Sequence, residues 1–458
     1  MDLWAIGVAV AGLCAGVGML TALIVSVRRD AKRDAERRWR RLADQTGMTF
    51  GVDTKGAPHL VGEDQGFGVI VDEVYRSKQG SFLRVRLAGN GRISATLDLR
   101  REAPLAGIVK RFEGEDVQLD DAAFDKLVHV EGPEDQVLAA LGVRARTLLR
   151  TWVDAGGTVE RGNLFFNSLD RPGEPQRIRE LTQYAVALAQ SLEVSSVPVA
   201  LLENASKDPN SRVRRRNLEV LVTRYPGSAE AREALHAALD DSVAETRIWA
   251  AQALVGEEAA RVALSEVVED LVQTDGVRAQ ALDRLVEGHP YEAVAVTVAR
   301  ALASDPLTPA PLLRCAAIRA VAMARDASQL ERLAAQCAAP MRLPAEVGEA
   351  LANALGVFEE SEAEKALLGL LAHESAKVKV AAAAALAKVG TVRAVEWLLP
   401  LTQGVLAGAV GDAAREAVRA IQARLGDADA GRLSVVDARV GGGLSVPPLP
   451  NGTKDRGD

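Results

Sequence analysis

Cysteine is scarce in this chain, and the motifs of common enzymes are missing from it. The three cysteines, Cys14, Cys315 and Cys337, lie far apart and form no CxxC pair, which argues against a disulfide framework or a cysteine-based zinc site. No Walker sequence or nucleophile elbow is present. The histidines have no HxxxH or HExxH spacing, so we interpret each as structural or surface: His59, His129, His236, His289 and His373. The sequence therefore predicts a protein that is not an enzyme, with no catalytic residue and no cofactor.

Aromatic residues and net positive charge are also low. Aromatics make up 4% of the 458 residues, which suits helices packed through alanine and leucine. The formal net charge of −7 argues against specific binding of nucleic acid. Apolar residues at 48% and charged residues at 26% are typical of a folded protein, and the length allows two to four domains.

One dense group of carboxylates lies between residues 113 and 125. Carboxylates can bind a hard cation such as Ca²⁺, but the spacing here matches no calcium loop. Asp120 or Asp121 can instead cap the helix that leads to Leu127, and we favour that interpretation and predict no metal site. The group consists of Glu113, Glu115, Asp116, Asp120, Asp121 and Asp125.

An uncharged run at residues 3–27 is long enough to cross a bilayer, so residues 1–27 are predicted to be a transmembrane signal anchor. A cleaved signal peptide is the alternative, but no basic residue precedes the run. Basic residues follow it, in a predicted juxtamembrane helix at 28–46. They predict an N-terminus outside and a cytoplasmic body, in a bacterial inner membrane. As topology or lipid-head contacts we single out Arg28, Arg29, Lys32, Arg33, Arg37, Arg38, Arg40 and Arg41.

Residues 47–194 have the pattern of a small α+β domain. Apolar residues alternate at 83–87 and again at 93–99, on either side of Asn90-Gly91, which predicts a β-hairpin. A third strand is predicted at 69–75 and a strand pair through 158–166. Helices are predicted at 133–154 and 175–192.

From residue 195 to 425 the chain repeats a helical hairpin. In the best copy, at 366–401, Val378, Ala382 and Leu386 recur at helical spacing, with Ser375 as the candidate N-cap and Gly390 as the left-handed residue after the helix. Similar second helices start near residues 208, 245, 276, 312, 346 and 412. The spacing of about 31 to 36 residues indicates stacked two-helix repeats, about seven in number. A Gly/Pro-rich tail at 426–458 is predicted to be disordered.

The repeated pattern is a capping Asp or Ser, then Val-Arg, then an alanine-rich helix that ends in leucine. It resembles HEAT repeats, particularly the short class named after the phycobilisome lyases, over about residues 197–425. The resemblance implies a mainly α fold: a HEAT-like α-α superhelix of the armadillo type, preceded here by the single transmembrane helix and the small α+β domain. It also implies a binding surface more often than an enzyme.

Arg212, Arg215 and Arg216 would share one face of a helix, where three guanidiniums could contact an anionic group of a partner. A solvated face is the alternative.

The function predicted from these features is a membrane-anchored scaffold that presents the repeat surface to an unidentified protein partner. Two alternatives stay open: a HEAT-like lyase or chromophore-handling enzyme, and a structural protein that organises the cell envelope. The sequence leaves the oligomeric state open.

Overall fold

A computed structural model of the chain describes residues 26–102 (without 28, 31 and 77–79), 116–168, 174–293, 297, 301, 310–403 and 408–424. These residues form two compact units, which divide the chain between Ala237 and Ala238. The first unit contains an antiparallel sheet, and the second is helical. The domain boundaries drawn from the sequence at residues 27, 46, 194 and 425 stay predictions.

The sheet of the first unit has eight strands in the order β1-β2-β3-β4-β8-β7-β5-β6, and every neighbouring pair is antiparallel. Its central strands alternate buried apolar and more exposed polar residues, as Leu83, Val85 and Leu87 do with Arg84 and Arg86. The strands are β1 (Thr49–Val52), β2 (Pro58–Asp64), β3 (Phe67–Arg76), β4 (Gly80–Ala88), β5 (Asp98–Arg101), β6 (Val128–Glu131), β7 (Thr158–Glu160) and β8 (Asn163–Ser168).

The predicted hairpin around Asn90-Gly91 is wrong. Asn90 and Gly91 do adopt positive φ angles of 49° and 76°, as the turn requires. However, β4 pairs with β3 and β8, and β5 begins only at Asp98 and pairs with β6 and β7. Asn163 is the first residue of β8, and its side chain accepts a hydrogen bond from Gly89 N at 3.2 Å. A distant strand thus takes the edge of β4 that the hairpin would have used, while the predicted pair at 158–166 is present as β7 and β8.

Helices of the first unit cover the sheet and continue into the first helical hairpin. The predicted helix at 133–154 is divided in two at Leu141 and Gly142. Trp152 lies in the core, with ring centroids 5.1 Å from Phe166 and 6.1 Å from Tyr184. The helices are α1 (its described part within 26–46), α2 (Ala122–Asp125), α3 (Glu134–Ala140), α4 (Val143–Asp154), α5 (Pro175–Ser191), α6 (Val197–Lys207), α7 (Ser211–Arg224) and α8 (Ala229–Ala238), which crosses into the second unit.

The second unit is a stack of paired helices in sequence order. Helices α9, α11, α13, α15, α17 and α19 each pack on the next one in this row, and α14, α16 and α18 pack successively in a second row. The arrangement is compatible with a solenoid. The helices are α9 (Ala244–Ala253), α10 (Glu258–Glu269), α11 (Asp275–Gly288), α12 (Pro290–Ala293), α13 (Pro311–Ala324), α14 (Leu330–Gln336), α15 (Ala345–Leu355), α16 (Ser361–Leu370), α17 (Ala376–Val389), α18 (Val392–Leu398) and α19 (Gly408–Arg424).

Helix α17 has the predicted core. Val378, Ala382 and Leu386 are fully buried. Ser375 occupies the N-cap position, although its side chain makes no capping hydrogen bond. Gly390 is extended rather than left-handed, with φ of −66°. Glycine is needed there for space, because a Cβ would lie 2.6 Å from the carbonyl oxygen of Leu386.

The predicted fold class and location are corrected by the structure. Among the residues that the structure describes, no helix is long and apolar enough to cross a membrane. This finding overturns the single-pass architecture and the inner-membrane location that were based on it. Of the predicted anchor, residues 1–25 lie outside the described part of the chain, as does the predicted tail at 426–458. The observed fold is mainly helical with an eight-stranded antiparallel sheet toward the N-terminus.

The basic segment after the apolar run belongs to the folded protein. Helix α1 buries Trp39, Leu42 and Ala43. Its charged side chains face outward, and Arg37 pairs with Asp34 at 2.6 Å. Arg40 lies over the ring of Phe50, 4.6 Å from its centroid. The segment is therefore an amphipathic helix. The lipid-head contacts expected of its basic residues stay a prediction, and Arg28 lies outside the described residues.

Candidate functional site

The arginines singled out from the sequence lie on α7, and two of them have acidic partners within the first unit. Arg215 Nε donates to Glu219 at 2.6 Å, and Arg216 pairs with Glu134 at the start of α3. Arg212 is exposed at the first turn of the helix. The three side chains therefore do not form one uncommitted cluster, and their contact with a partner stays a prediction.

Arg146 on α4 is the buried cation of the first unit. It is 5% exposed and lies between two carboxylates. Its Nη1 is 2.8 Å from Asp208 Oδ2, and its Nε is 3.2 Å from Asp121 Oδ2. A further hydrogen bond from Nη1 reaches the carbonyl oxygen of Leu141 at 2.9 Å. This network joins α4 to the turn between α6 and α7, so it has a structural role.

The carboxylate group noted in the sequence divides into separate parts. Asp121 caps α2, as predicted, by accepting a hydrogen bond from Phe124 N at 3.3 Å. Asp125 accepts one from Leu119 N at 3.0 Å, and burial raises the pKa of its carboxyl group. Asp116 lies elsewhere, beside strand β6. Glu113 and Glu115 lie outside the described residues.

A second polar cluster lies where β5 and β6 meet at one end of the sheet. Arg100 is opposite His129 in the antiparallel register, so residues 100 and 102 share a face with His129 and Glu131. His129 is 7% exposed. Its Nδ1 is 3.3 Å from Glu102 Oε2 and 3.3 Å from Asp116 Oδ1, and its Nε2 is 2.9 Å from Glu131 Oε1. Arg100 Nη2 lies 2.7 Å from the same Glu131 oxygen.

The position of Asp116 is set by the edge strand. Val117 N donates to the carbonyl oxygen of Val130 at 2.9 Å, and Val130 N donates to Asp116 Oδ1 at 3.0 Å. Gln118 Nε2 donates to the other carboxylate oxygen at 2.6 Å. The backbone of residues 116 to 118 thus runs along β6 and holds the carboxylate against the imidazole.

Glu102, Asp116 and His129 bring three possible metal ligands within 4.8 Å of one another. From the sequence, His129 was expected to be structural or at the surface, and neither Glu102 nor Glu131 was singled out. A weak signal was present, because in Val128-His129-Val130-Glu131 two polar residues alternate with two buried valines. That alternation indicates one polar strand face, but it does not reveal which residues oppose it.

The second unit carries exposed apolar side chains at the turns between its helices. Leu271 and Val272, in the turn between α10 and α11, are 82% and 90% exposed. The turn is held by Asp270, whose carboxylate accepts a hydrogen bond from Val272 N at 2.9 Å. At a different turn, Val255 borders a small pocket that Arg261, Arg284 and His289 also line.

Comparisons with known proteins assign no family to this chain. No protein-family model matches it, and neither does any curated protein. A search of solved structures finds a likeness to human deoxyhypusine hydroxylase in complex with glycerol, at 19% sequence identity and a TM-score of 0.23. The match covers 49% of this chain and 85% of that chain. A TM-score this low carries no argument about fold or activity.

Proposed function

We propose that this chain is a protein–protein interaction scaffold whose HEAT-like helical unit provides the binding surface. The observation that carries the proposal is the row of second helices that pack on one another in sequence order. These helices start at residues 244, 275, 311, 345, 376 and 408. Stacked repeats of this kind create extended surfaces, and such surfaces are used mainly for binding.

The exposed turn at Leu271 and Val272 is the part of this surface that we assign to partner contact. Single exposed apolar residues are common on soluble proteins and carry no meaning by themselves. Here two adjacent apolar side chains are more than four-fifths exposed on a turn that Asp270 stabilises. Because the turn is ordered before binding, a partner that covers it loses little conformational entropy of the scaffold.

The alternative functions, a HEAT-like lyase or chromophore-handling enzyme and an envelope-organising protein, rest on the resemblance and on the sequence pattern. The scaffold proposal has the stacked helices and the exposed turn in its support. It places no catalytic step on any residue of the second unit.

The proposal is tested by quantitative affinity capture with the full chain and with the L271S/V272S variant. The partner is then purified, and its Kd is measured for both proteins. Burying the two side chains stabilises a complex by up to about 1.5–3 kcal/mol each, and a loss of about 1.4 kcal/mol weakens binding about tenfold. We expect the variant to bind about tenfold more weakly. The matched control is E359S/E360S, which alters an exposed adjacent pair before α16 in the same unit.

A purified protein that binds wild type and control with equal Kd, and the variant much more weakly, supports the proposal. Equal binding of all three proteins would exclude this turn as the contact. Absence of any saturable binding to the full chain would overturn the scaffold function itself.

A further inference from the structure

We propose that Glu102, Asp116 and His129 bind a divalent first-row transition-metal ion at the β5–β6 end of the sheet, with Glu131 orienting the histidine. This site lies in the first unit and is independent of the scaffold surface in the second. Glu102 is the residue after β5, Asp116 lies in the segment that runs beside β6, and His129 lies in β6 itself.

The proton on His129 can be placed by its partners. Glu131 is a carboxylate that accepts hydrogen bonds, and its Oε1 is 2.9 Å from Nε2. Arg100 contacts the same oxygen at 2.7 Å, which holds the Glu131 carboxylate in position. In a metal complex Nε2 would therefore carry the proton, and Nδ1 would be the nitrogen that binds the ion. A carboxylate that orients a histidine in this way is the common outer-sphere partner of a metal ligand.

The Nδ1 atom faces two carboxylates. One oxygen of Glu102 and one of Asp116 each lie 3.3 Å from it. A second proton on Nδ1 can form one good hydrogen bond, whereas a metal ion bonds to all three atoms at once.

The distances suit a small divalent ion. In a tetrahedral site with bonds of about 2.0–2.1 Å, neighbouring ligand atoms are about 3.3–3.4 Å apart. The two contacts of Nδ1 are 3.3 Å long, and all three ligand atoms lie within 4.8 Å of one another. A small rotation of the Glu102 or Asp116 carboxylate would bring their two oxygens to the same spacing.

Burial supports a bound cation. The side chains of Asp116 and His129 are each 9% exposed and that of Glu102 is 19% exposed. Removing carboxylates from water is unfavourable unless a positive charge compensates them. A metal ion bound at Nδ1 would contribute positive charge beside both carboxylates.

The ligand types select the class of metal. One imidazole nitrogen with two carboxylate oxygens suits Mn²⁺, Fe²⁺, Co²⁺, Ni²⁺ or Zn²⁺. Ca²⁺ and Mg²⁺ prefer ligand sets made entirely of oxygen. No thiolate takes part in this site, so metals that require sulfur are disfavoured.

The test uses the full chain after chelator treatment, titrated calorimetrically with Zn²⁺, Mn²⁺ and Ca²⁺, with stoichiometry checked by native mass spectrometry. We expect one equivalent of Zn²⁺ or Mn²⁺ to bind, and Ca²⁺ to bind at least tenfold more weakly. H129Q and E102Q should each abolish that binding. E131A should weaken it about 10–100-fold, the usual effect of removing an outer-sphere partner. H59Q, which alters a histidine on β2, is the matched control and should bind as wild type does.

Cobalt provides a readout that needs no variant. Wild-type protein loaded with Co²⁺ should show visible d–d absorption of a nitrogen- and oxygen-ligated ion, and Zn²⁺ should displace it. Failure of wild type to bind one equivalent of any of these transition ions would overturn the proposal. So would equal binding by wild type and H129Q, or a ¹⁵N spectrum in which both His129 nitrogens stay protonated when Zn²⁺ is added. Partner capture by the second unit is unaffected by any of these outcomes.

Discussion

At the scale of single residues, Arg146 shows how a buried charge organises the first unit. Its guanidinium contacts Asp208, which is 2% exposed, and Asp121, which also caps α2. A buried ion pair is not a large net source of stability, because both groups lose hydration. We expect its effect to be specificity, because the guanidinium contacts the Leu141 carbonyl just before α4 and Asp208 in the α6–α7 turn at the same time.

Replacing Arg146 should therefore be strongly destabilising. R146M leaves the carboxylate of Asp208 buried without its partner, and we expect a loss of about 3–5 kcal/mol in the free energy of unfolding of the first unit. This loss in the free energy of unfolding is measured by hydrogen exchange in urea, followed in the peptides of α4 and α7. R144M, at an exposed position on the same helix, is the control. The double variant R146M/D208L should regain much of the loss, and a failure to do so would contradict the charge argument.

Tyr225 gives a prediction about pH. Its hydroxyl donates to Asp135 Oδ2 at 2.6 Å. That hydrogen bond, with burial as a lesser cause, raises the pKa of Tyr225 to about 12 from its usual 10.0. Because the folded-state pKa is raised, the contact contributes stability below pH 10 and loses it as pH rises from 10 toward 12.

A spectrophotometric titration at alkaline pH checks this expectation. One of the four tyrosines should ionise late, near pH 12, and Y225F should remove that step. Y291F, which alters an exposed tyrosine of the second unit, should leave the late step in place. The hydrogen bond is only partly buried, so its loss should lower stability near pH 7 by only about 1 kcal/mol. A late step that persists in Y225F would assign it to another tyrosine.

At the scale of helices, buried polar side chains connect neighbouring repeats of the second unit. His373 accepts a hydrogen bond from Ser375 N at 2.9 Å through Nδ1, so its Nε2 carries the proton and donates to the carbonyl oxygen of Leu343 at 3.0 Å. Glu364 on α16 accepts hydrogen bonds from the backbone and side chain of Thr391, both at 2.8 Å, at the start of α18. These contacts set the register between one hairpin and the next.

Removing the imidazole of His373 should loosen the beginnings of α15 and α17 together. H373A leaves the Leu343 carbonyl and the Ser375 amide without their buried partner, which we expect to lower local stability by about 1–3 kcal/mol. Hydrogen exchange should become faster in the first turns of both helices. K377A, at an exposed position in the first turn of α17, should not have this effect. Faster exchange confined to α17 would show that the side chain does not connect the two repeats.

At the scale of the whole molecule, the division into two units predicts that damage stays local. Leu386 is fully buried in α17, and L386A should lower stability there by about 2–5 kcal/mol through lost contacts and a cavity. Repeats contact mainly their neighbours, so the loss should spread through the second unit and leave the sheet intact. A384S, at an exposed position of the same helix, is the control.

Limited proteolysis with mass spectrometry distinguishes the two outcomes. We expect L386A to expose cleavage sites after Ala238 while the fragment that contains β1 to β8 resists digestion. Simultaneous loss of both fragments would show that the two units fold as one.

The sequence alone determined the helices of the repeat region. A helix forms hydrogen bonds within four residues, so its apolar period and its end signals are local. The starts predicted near residues 245, 276, 312 and 346 agree with α9, α11, α13 and α15 to within one residue, whereas those near 208 and 412 differ from α7 and α19 by three and four residues. The helices at 133–154 and 175–192 were also predicted, apart from the break at Gly142, where a Cβ would lie 2.8 Å from the Asn204 amide oxygen. The apolar run at residues 3–27 predicted a membrane-spanning helix for the same local reason. The helix that the structure describes after it, α1, is amphipathic and packs against the protein.

Tertiary structure decided everything that depends on a distant partner. The alternating residues around Asn90-Gly91 predicted strand character, yet the edge of β4 pairs with β8, more than seventy residues later, because strand edges accept any partner that the fold brings near. The arginines of α7 had the spacing of an open cluster, yet Arg216 pairs with Glu134, eighty-two residues earlier in the chain, and Arg215 pairs with Glu219. His129 has no ligand spacing in the sequence because Glu102 and Asp116 reach it only when β5, β6 and the segment beside them close together. Local periodicity specifies elements, whereas ion pairs and ligand sets arise from side chains that only the folded chain brings within bonding distance.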